Sequence, residues 1–101
     1  MHLVVALLKP SQVESVRQAL AAVSVTRMTV CDAQGWRGPR EGLVQQAVLE
    51  IAVNDDFLAP TVKAITAALE AGGDSAAGRL HSLPMIDAVQ LYREVRGPEA
   101  V

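Results

Sequence analysis

Cysteine, aromatic side chains and net positive charge are all scarce in this chain, and each scarcity removes a class of protein. Cys31 is the single cysteine, so no disulfide can staple the chain to itself and no thiolate-rich metal site can form within it. A reducing compartment fits. Lys and Arg number 9 against 11 Asp and Glu, a formal charge of −2, which lacks the basic excess that gives a nucleic-acid binder its affinity for phosphates. The longest apolar run, in "MHLVVALLKP", is far too short to span a bilayer. It also has neither the charged flank nor the small-residue cleavage site of a secretory leader, so a cytoplasmic location is expected. Trp36, Phe57 and Tyr92 are the only aromatic residues, although half of the chain is hydrophobic. The core must therefore be aliphatic. The 101 residues suit one ordered domain with much surface for its volume, which would gain by association.

What is present alternates between two periods. "HLVVALL" (His2 to Leu8) is a continuous β-branched and aliphatic run that reads as a strand buried on both faces, stopped by Lys9-Pro10. In the next segment Ser11 and Glu14 have capping-box spacing, and Val13, Val16, Leu20 and Val23 share one helical face. Ser24 to Gln34 alternates again and predicts a second strand. The same order then recurs. Leu43 to Val53 predicts a third strand, and Asn54-Asp55-Asp56 offers an N-cap and negative charge to a second helix striped by Leu58, Val62, Ile65 and Leu69. Pro60 predicts an irregular or delayed first turn there. Gly72-Gly73 ends the helix. "RLHSL" and "DAVQLY" read as short closing segments around Pro84, before a polar tail.

Two β-α-β units in tandem predict an α+β, ferredoxin-like β-α-β-β-α-β sandwich. We place the domain at residues 1–93 and a C-terminal tail at 94–101. Helices cover only one face of such a sheet, whereas these strands are apolar on both. The second face is therefore expected to meet other copies, because large apolar patches are uncommon on monomers.

At this level of detail the residues resemble the PII signal-transduction (nitrogen regulatory P-II) superfamily. "MHLVVALLKP" resembles its opening strand with the characteristic Lys-Pro, Val16 to Val30 its first helix and second strand, and "QGWRG" the entry to its long T-loop. "LEIAVNDD", the B-loop-like "AGGDSAAGRL" and "SLPMIDAVQLY" follow in the same order. The resemblance implies a cytoplasmic homotrimer with three intersubunit clefts that bind ATP or ADP and often sense a metabolite, the T-loop carrying the state to a transporter, enzyme or transcription factor. It implies a regulator and not an enzyme, and no motif places a nucleophile beside a base. Carried onto matching positions, the ligand-binding residues are Leu7, Thr29, Gly35, Trp36, Arg37, Gly38, Glu50, Gly78 and Arg79, with Lys9 and Arg40 as further cations. Glycines let backbone N–H groups approach a phosphate and an arginine neutralises it.

The departures from the family are equally specific. Roughly a dozen T-loop residues are missing between Arg40 and Leu43, a length that would make a functional loop of its own. The modification tyrosine and the glutamine associated with 2-oxoglutarate and Mg²⁺ go with them. The B-loop's Gly-Asp-Gly is Ala76-Ala77-Gly78, and two late cleft arginines are Gln90 and Tyr92. Each charge-assisted hydrogen bond lost this way contributes about 1.5–3 kcal/mol. The expected ligand is thus ADP or AMP before ATP, or a related small anion, with no cofactor required.

Blander readings account for several of these residues. Trp36, Arg37 and Arg40 also suit a solvated hairpin, Lys9 a strand end, and Arg79 a strand start. Glu50, inside an apolar strand, is expected to be paired with a cation or a ligand hydroxyl. Two other functions remain open: a ligand-independent trimeric adaptor with a vestigial cleft, and a metal-handling protein like the CutA family. His2, Cys31 and His81 are all that speaks for the last.

Overall fold

The computed structural model describes residues 1–73 and 78–101. β1 (His2–Leu8) leads through a 3-10 turn at Pro10–Gln12 into α1 (Val13–Ala22). β2 (Thr29–Trp36) and β3 (Leu43–Val53) form a hairpin, α2 (Asp55–Ala71) crosses back, and β4 (Arg79–Pro84) completes the sheet. Two short strands, β5 (Val89–Gln90) and β6 (Val95–Arg96), pair apart from it. The main sheet has the order β2-β3-β1-β4, with every neighbour antiparallel. This is the expected ferredoxin-like α+β sandwich.

Strand parity builds the core. Val4, Ala6 and Leu8 of β1 lie opposite Ile51, Leu49 and Ala47 of β3, all buried beneath the two helices. Val16 and Leu20 of α1 and Ile65 and Leu69 of α2 complete that layer. The intervening Leu3, Val5 and Leu7 are only half-buried. Burial on both faces of β1 is therefore not met within one subunit; helices cover one face alone.

Several local expectations are corrected. β2 begins five residues later than its alternation predicts, because Ser24 takes a left-handed φ of 65°. The Ser24 and Val25 N–H groups donate back to the Ala21 and Leu20 carbonyls, which turns the chain off α1 and drops Val25 into the core. The Ser11–Glu14 capping box does not form. The Lys9 N–H donates to Gln12 Oε1 at 2.9 Å instead, while Glu14 is held by the Arg17 guanidinium. α2 begins at Asp55 and takes Pro60 into its interior, so its start is neither delayed nor irregular. Its buried stripe runs through Thr61 and not Val62. "DAVQLY" contributes only Val89 and Gln90 to a strand, and that strand joins β6 and not the main sheet.

The start of α2 is pinned from outside. Asn54 is its N-cap, but its side chain does not cap the helix; its Nδ2–H donates to the Pro98 carbonyl at 2.9 Å. The Met1 ammonium donates to Asp55 Oδ1 at 2.7 Å, and His2 Nδ1 stands 3.1 Å from the same oxygen, a hydrogen bond when that nitrogen carries the proton. The ammonium's hydrogen bond, then its charge, holds the Asp55 carboxyl below its ordinary value.

The Thr61 hydroxyl is fully buried without a hydrogen-bond partner among the described residues, so Thr61→Val should stabilise the fold by about 1 kcal/mol in urea denaturation. Because folding lowers the Asp55 pKa, its contribution is fully present above the ordinary carboxylate value and is lost as pH falls below it through the lowered folded-state value. The melting-temperature gap between the native chain and Asp55→Asn should therefore close on acidification; a gap independent of pH would refute the pairing.

Candidate functional site

The alternation that buries one set of strand residues lays the other on the open face of the sheet. Thr29 lies opposite Glu50, Glu50 opposite Val5, and Val5 opposite His81, a row running across all four strands. The next row is Cys31, Val48, Leu7 and Arg79. Leu7, Thr29, Glu50 and Arg79, far apart in sequence, thus share one face. Glu50 is exposed there and makes no ion pair among the described residues. Among the described residues the expected partner is not found; its cross-strand neighbours are Thr29 and Val5.

Those four residues nevertheless fall into two groups. Thr29 and Glu50 belong to the β2–β3 side, and Arg79 to β4, the opposite edge. Three strand spacings of about 4.8 Å separate the edges, roughly 14 Å. Gly78 directly precedes β4 and adjoins Leu7 through Arg79; Lys9 follows the same end of β1 as N-cap of the 3-10 turn. One group is therefore Leu7, Lys9, Gly78 and Arg79, and the other is Thr29 with Glu50. Ala76 and Ala77, the altered B-loop positions, lie outside the described residues.

The remaining candidates sit on the hairpin. β1 ends opposite Ala47, so the pairs from Ala33–Gln46 to Trp36–Leu43 extend past it as a two-stranded ribbon. Gly35 and Trp36 belong to β2, which shortens the expected eight-residue loop to residues 37–42. The Arg37 N–H donates to the Gly42 carbonyl at 2.9 Å and the Gly42 N–H to the Gly38 carbonyl at 2.8 Å. Gly38 and Gly42, at φ 90° and 64°, hold a conformation that side chains disfavour. Trp36 and Leu43 are 68% and 62% exposed, opposite one another at the tip beside Arg37 and Arg40. A Cβ on Gly35 would come within 2.5 Å of the Gln46 amide. Gln46 was not singled out from the sequence, although it shares the strand parity of Glu50.

The metal trio does not assemble in the subunit. His2 meets Asp55, Cys31 is on β2 and His81 on β4. Among the described residues no group of three His, Cys, Asp or Glu side chains could hold a metal ion, and no helix is long and apolar enough to cross a membrane.

Comparison with known proteins agrees with this geometry. The family model of the nitrogen regulatory protein P-II matches residues 1–95. The chain belongs to the P-II family. It is 31% identical to the nitrogen regulatory protein GlnK1 of Methanosarcina mazei over 115 aligned positions, covering all of this chain and 97% of that protein. The alignment is longer than the 101 residues of this chain, so the relative carries segments that this P-II chain lacks. The crystal structure of Arabidopsis thaliana PII bound to citrate superposes with a TM-score of 0.87 over 99% of this chain and 91% of that one. At 24% identity that likeness establishes the shared fold.

Trp36 is the only tryptophan, so intrinsic fluorescence reads the hairpin tip directly. Its emission and acrylamide quenching should approach those of free tryptophan, and Gly38→Ala should destabilise the chain by about 1–2 kcal/mol by straining the closure. A shielded emission would show the tip to be covered.

Proposed function

We propose that this P-II chain is a non-enzymatic regulator that works as a homotrimer and binds an adenine nucleotide, ADP or AMP before ATP, or a related small anion, in clefts between its subunits. One observation carries the reading. Of the residues that correspond to the family's cleft, Thr29 stands on the edge strand β2 and Arg79 on the opposite edge strand β4, with Glu50 and Leu7 on the two central strands between them, so hydroxyl and guanidinium are carried by strands roughly 14 Å apart in one subunit. Bringing the β2 side of one copy to the β4 edge of the next makes a complete site from two halves.

Each half supplies distinct chemistry. Arg79, Lys9 and the Gly78 backbone answer negative charge. Thr29 and Glu50 offer a hydroxyl and a carboxylate to the donors of a base or ribose. Gln90 and Tyr92 stand where the family's arginines would meet further phosphates, so each added phosphate is desolvated with less compensation. The citrate of the plant structure is itself a small polycarboxylate, in keeping with an anion-accepting cleft. The closed six-residue tip leaves nothing to supply the family's 2-oxoglutarate ligands, and the regulated partner, a transporter or an enzyme, meets the compact body or the short tip.

Titration calorimetry on the full chain tests this reading. ADP and AMP should bind more tightly than ATP, lower salt should strengthen binding, and 2-oxoglutarate should give no heat with Mg-ATP. Arg79→Ala should weaken the nucleotide about tenfold or more with assembly unchanged, and light scattering should give three times 10.7 kDa. A stable monomer would end the cleft reading; a trimer indifferent to every nucleotide and anion would leave the ligand-independent adaptor.

A further inference from the structure

The alternation of β4 packs Leu80 against the core and turns Arg79 and His81 to the open face of the sheet, opposite Leu7 and Val5 of β1. Two residues apart on one face, the imidazole and the guanidinium are separated by roughly 7 Å along the strand. Both are exposed, and neither makes an ion pair among the described residues. His81 also closes the row that begins with Thr29 and Glu50, so an edge-to-edge contact between copies continues that row from one chain into the next.

The groups around His81 decide when it carries charge. Arg79 on its own strand opposes protonation. On β1 it faces only apolar side chains, Val5 with Leu3 and Leu7 to either side. Glu50 stands in its row two strands away, and Cys31 in the row of Arg79 lies on the far edge. Across the proposed contact, the carboxylate of Glu50 of the next copy favours the imidazolium. A phosphate at the Arg79 end of the cleft favours it more, because the bond it accepts from an imidazolium is charge-assisted.

We infer that His81 is a conditional cation of the nucleotide cleft, joining Arg79 on the phosphates of a bound nucleotide when its imidazole is protonated. Imidazole is the side chain whose charge ordinarily changes between about pH 5 and 8, so the cleft holds a polyanion more tightly on the acid side of neutrality. Binding there takes up a proton. The added charge serves ATP as well as ADP, and the preference for the less charged nucleotide therefore narrows as pH falls. The inference rests on the cleft proposed above and adds a residue and a pH dependence to it.

Titration calorimetry of the full chain with ADP and ATP tests it. The terminal phosphate itself gains a proton near pH 6, so the reference is His81→Gln titrated with the same nucleotide at the same pH. Between about pH 8 and about pH 6 the native chain should gain about tenfold in ADP affinity relative to that variant. At about pH 7 its binding enthalpy should vary with the ionisation heat of the buffer, the signature of proton uptake. His81→Lys, charged throughout this range, should bind ADP at about pH 8 as tightly as the native chain does at about pH 6. Native and His81→Gln chains that bind ADP with the same pH profile overturn the inference and leave the cleft standing. A native chain that takes no nucleotide at either pH overturns both.

Discussion

The register of β1 between β3 and β4 is the constraint on which everything else depends. Pairing Val4 with Ile51 and Ala6 with Leu49 commits one parity of three strands to the helices and the other to the open face. A slip of β1 by one residue would send Val4, Ala6 and Leu8 outward and turn Leu3, Val5 and Leu7 beneath the helices, out of step with Glu50 and Arg79 on the open face. The aliphatic core and the placement of the candidate cleft residues are thus two consequences of the same hydrogen-bond ladder. This explains how residues as distant as Leu7, Thr29, Glu50 and Arg79 are ordered on one face without a loop to gather them.

Period alone made most of this legible. The shift from the aliphatic run at His2–Leu8 to the spacing of Val13, Val16 and Leu20 locates β1 and α1, and its repetition gives the fold. What escaped the sequence depended on backbone conformation or on a partner remote in the chain. Ser24 enters a left-handed turn that no propensity favours for serine, and β2 is delayed in consequence. Asn54 has the residue type of an N-cap and the right position, yet its side chain is drawn to Pro98. Val62 and Thr61 are neighbours on the helix, and the polar one shares the buried face of Ile65 and Leu69. For the candidate site, arrangement was not legible: the sequence singled out Arg79 and Glu50, but only strand order shows that β1 lies between the strands that carry them.

The hairpin shows how a loop can lose length and keep its base. β2 and β3 are paired from Thr29–Glu50 to Trp36–Leu43, and Gly38 and Gly42 provide the left-handed positions that allow six residues to close the ribbon. A short loop with two internal backbone hydrogen bonds has little conformational entropy left to lose. A partner that met Trp36, Leu43 and the adjacent arginines would meet a surface shaped by those two hydrogen bonds, in contrast to a long loop that must order itself on contact.

Dividing a site between two sheet edges also couples ligand to assembly. In the assembly proposed above, a ligand held by Arg79 of one copy and by Thr29 and Glu50 of the next would bind the assembled state and not the separated subunits, and so would strengthen association by the free energy of its own binding. Linkage makes the relation reciprocal: a contact that tightens the assembly raises the fraction of complete clefts and with it the apparent affinity for ligand.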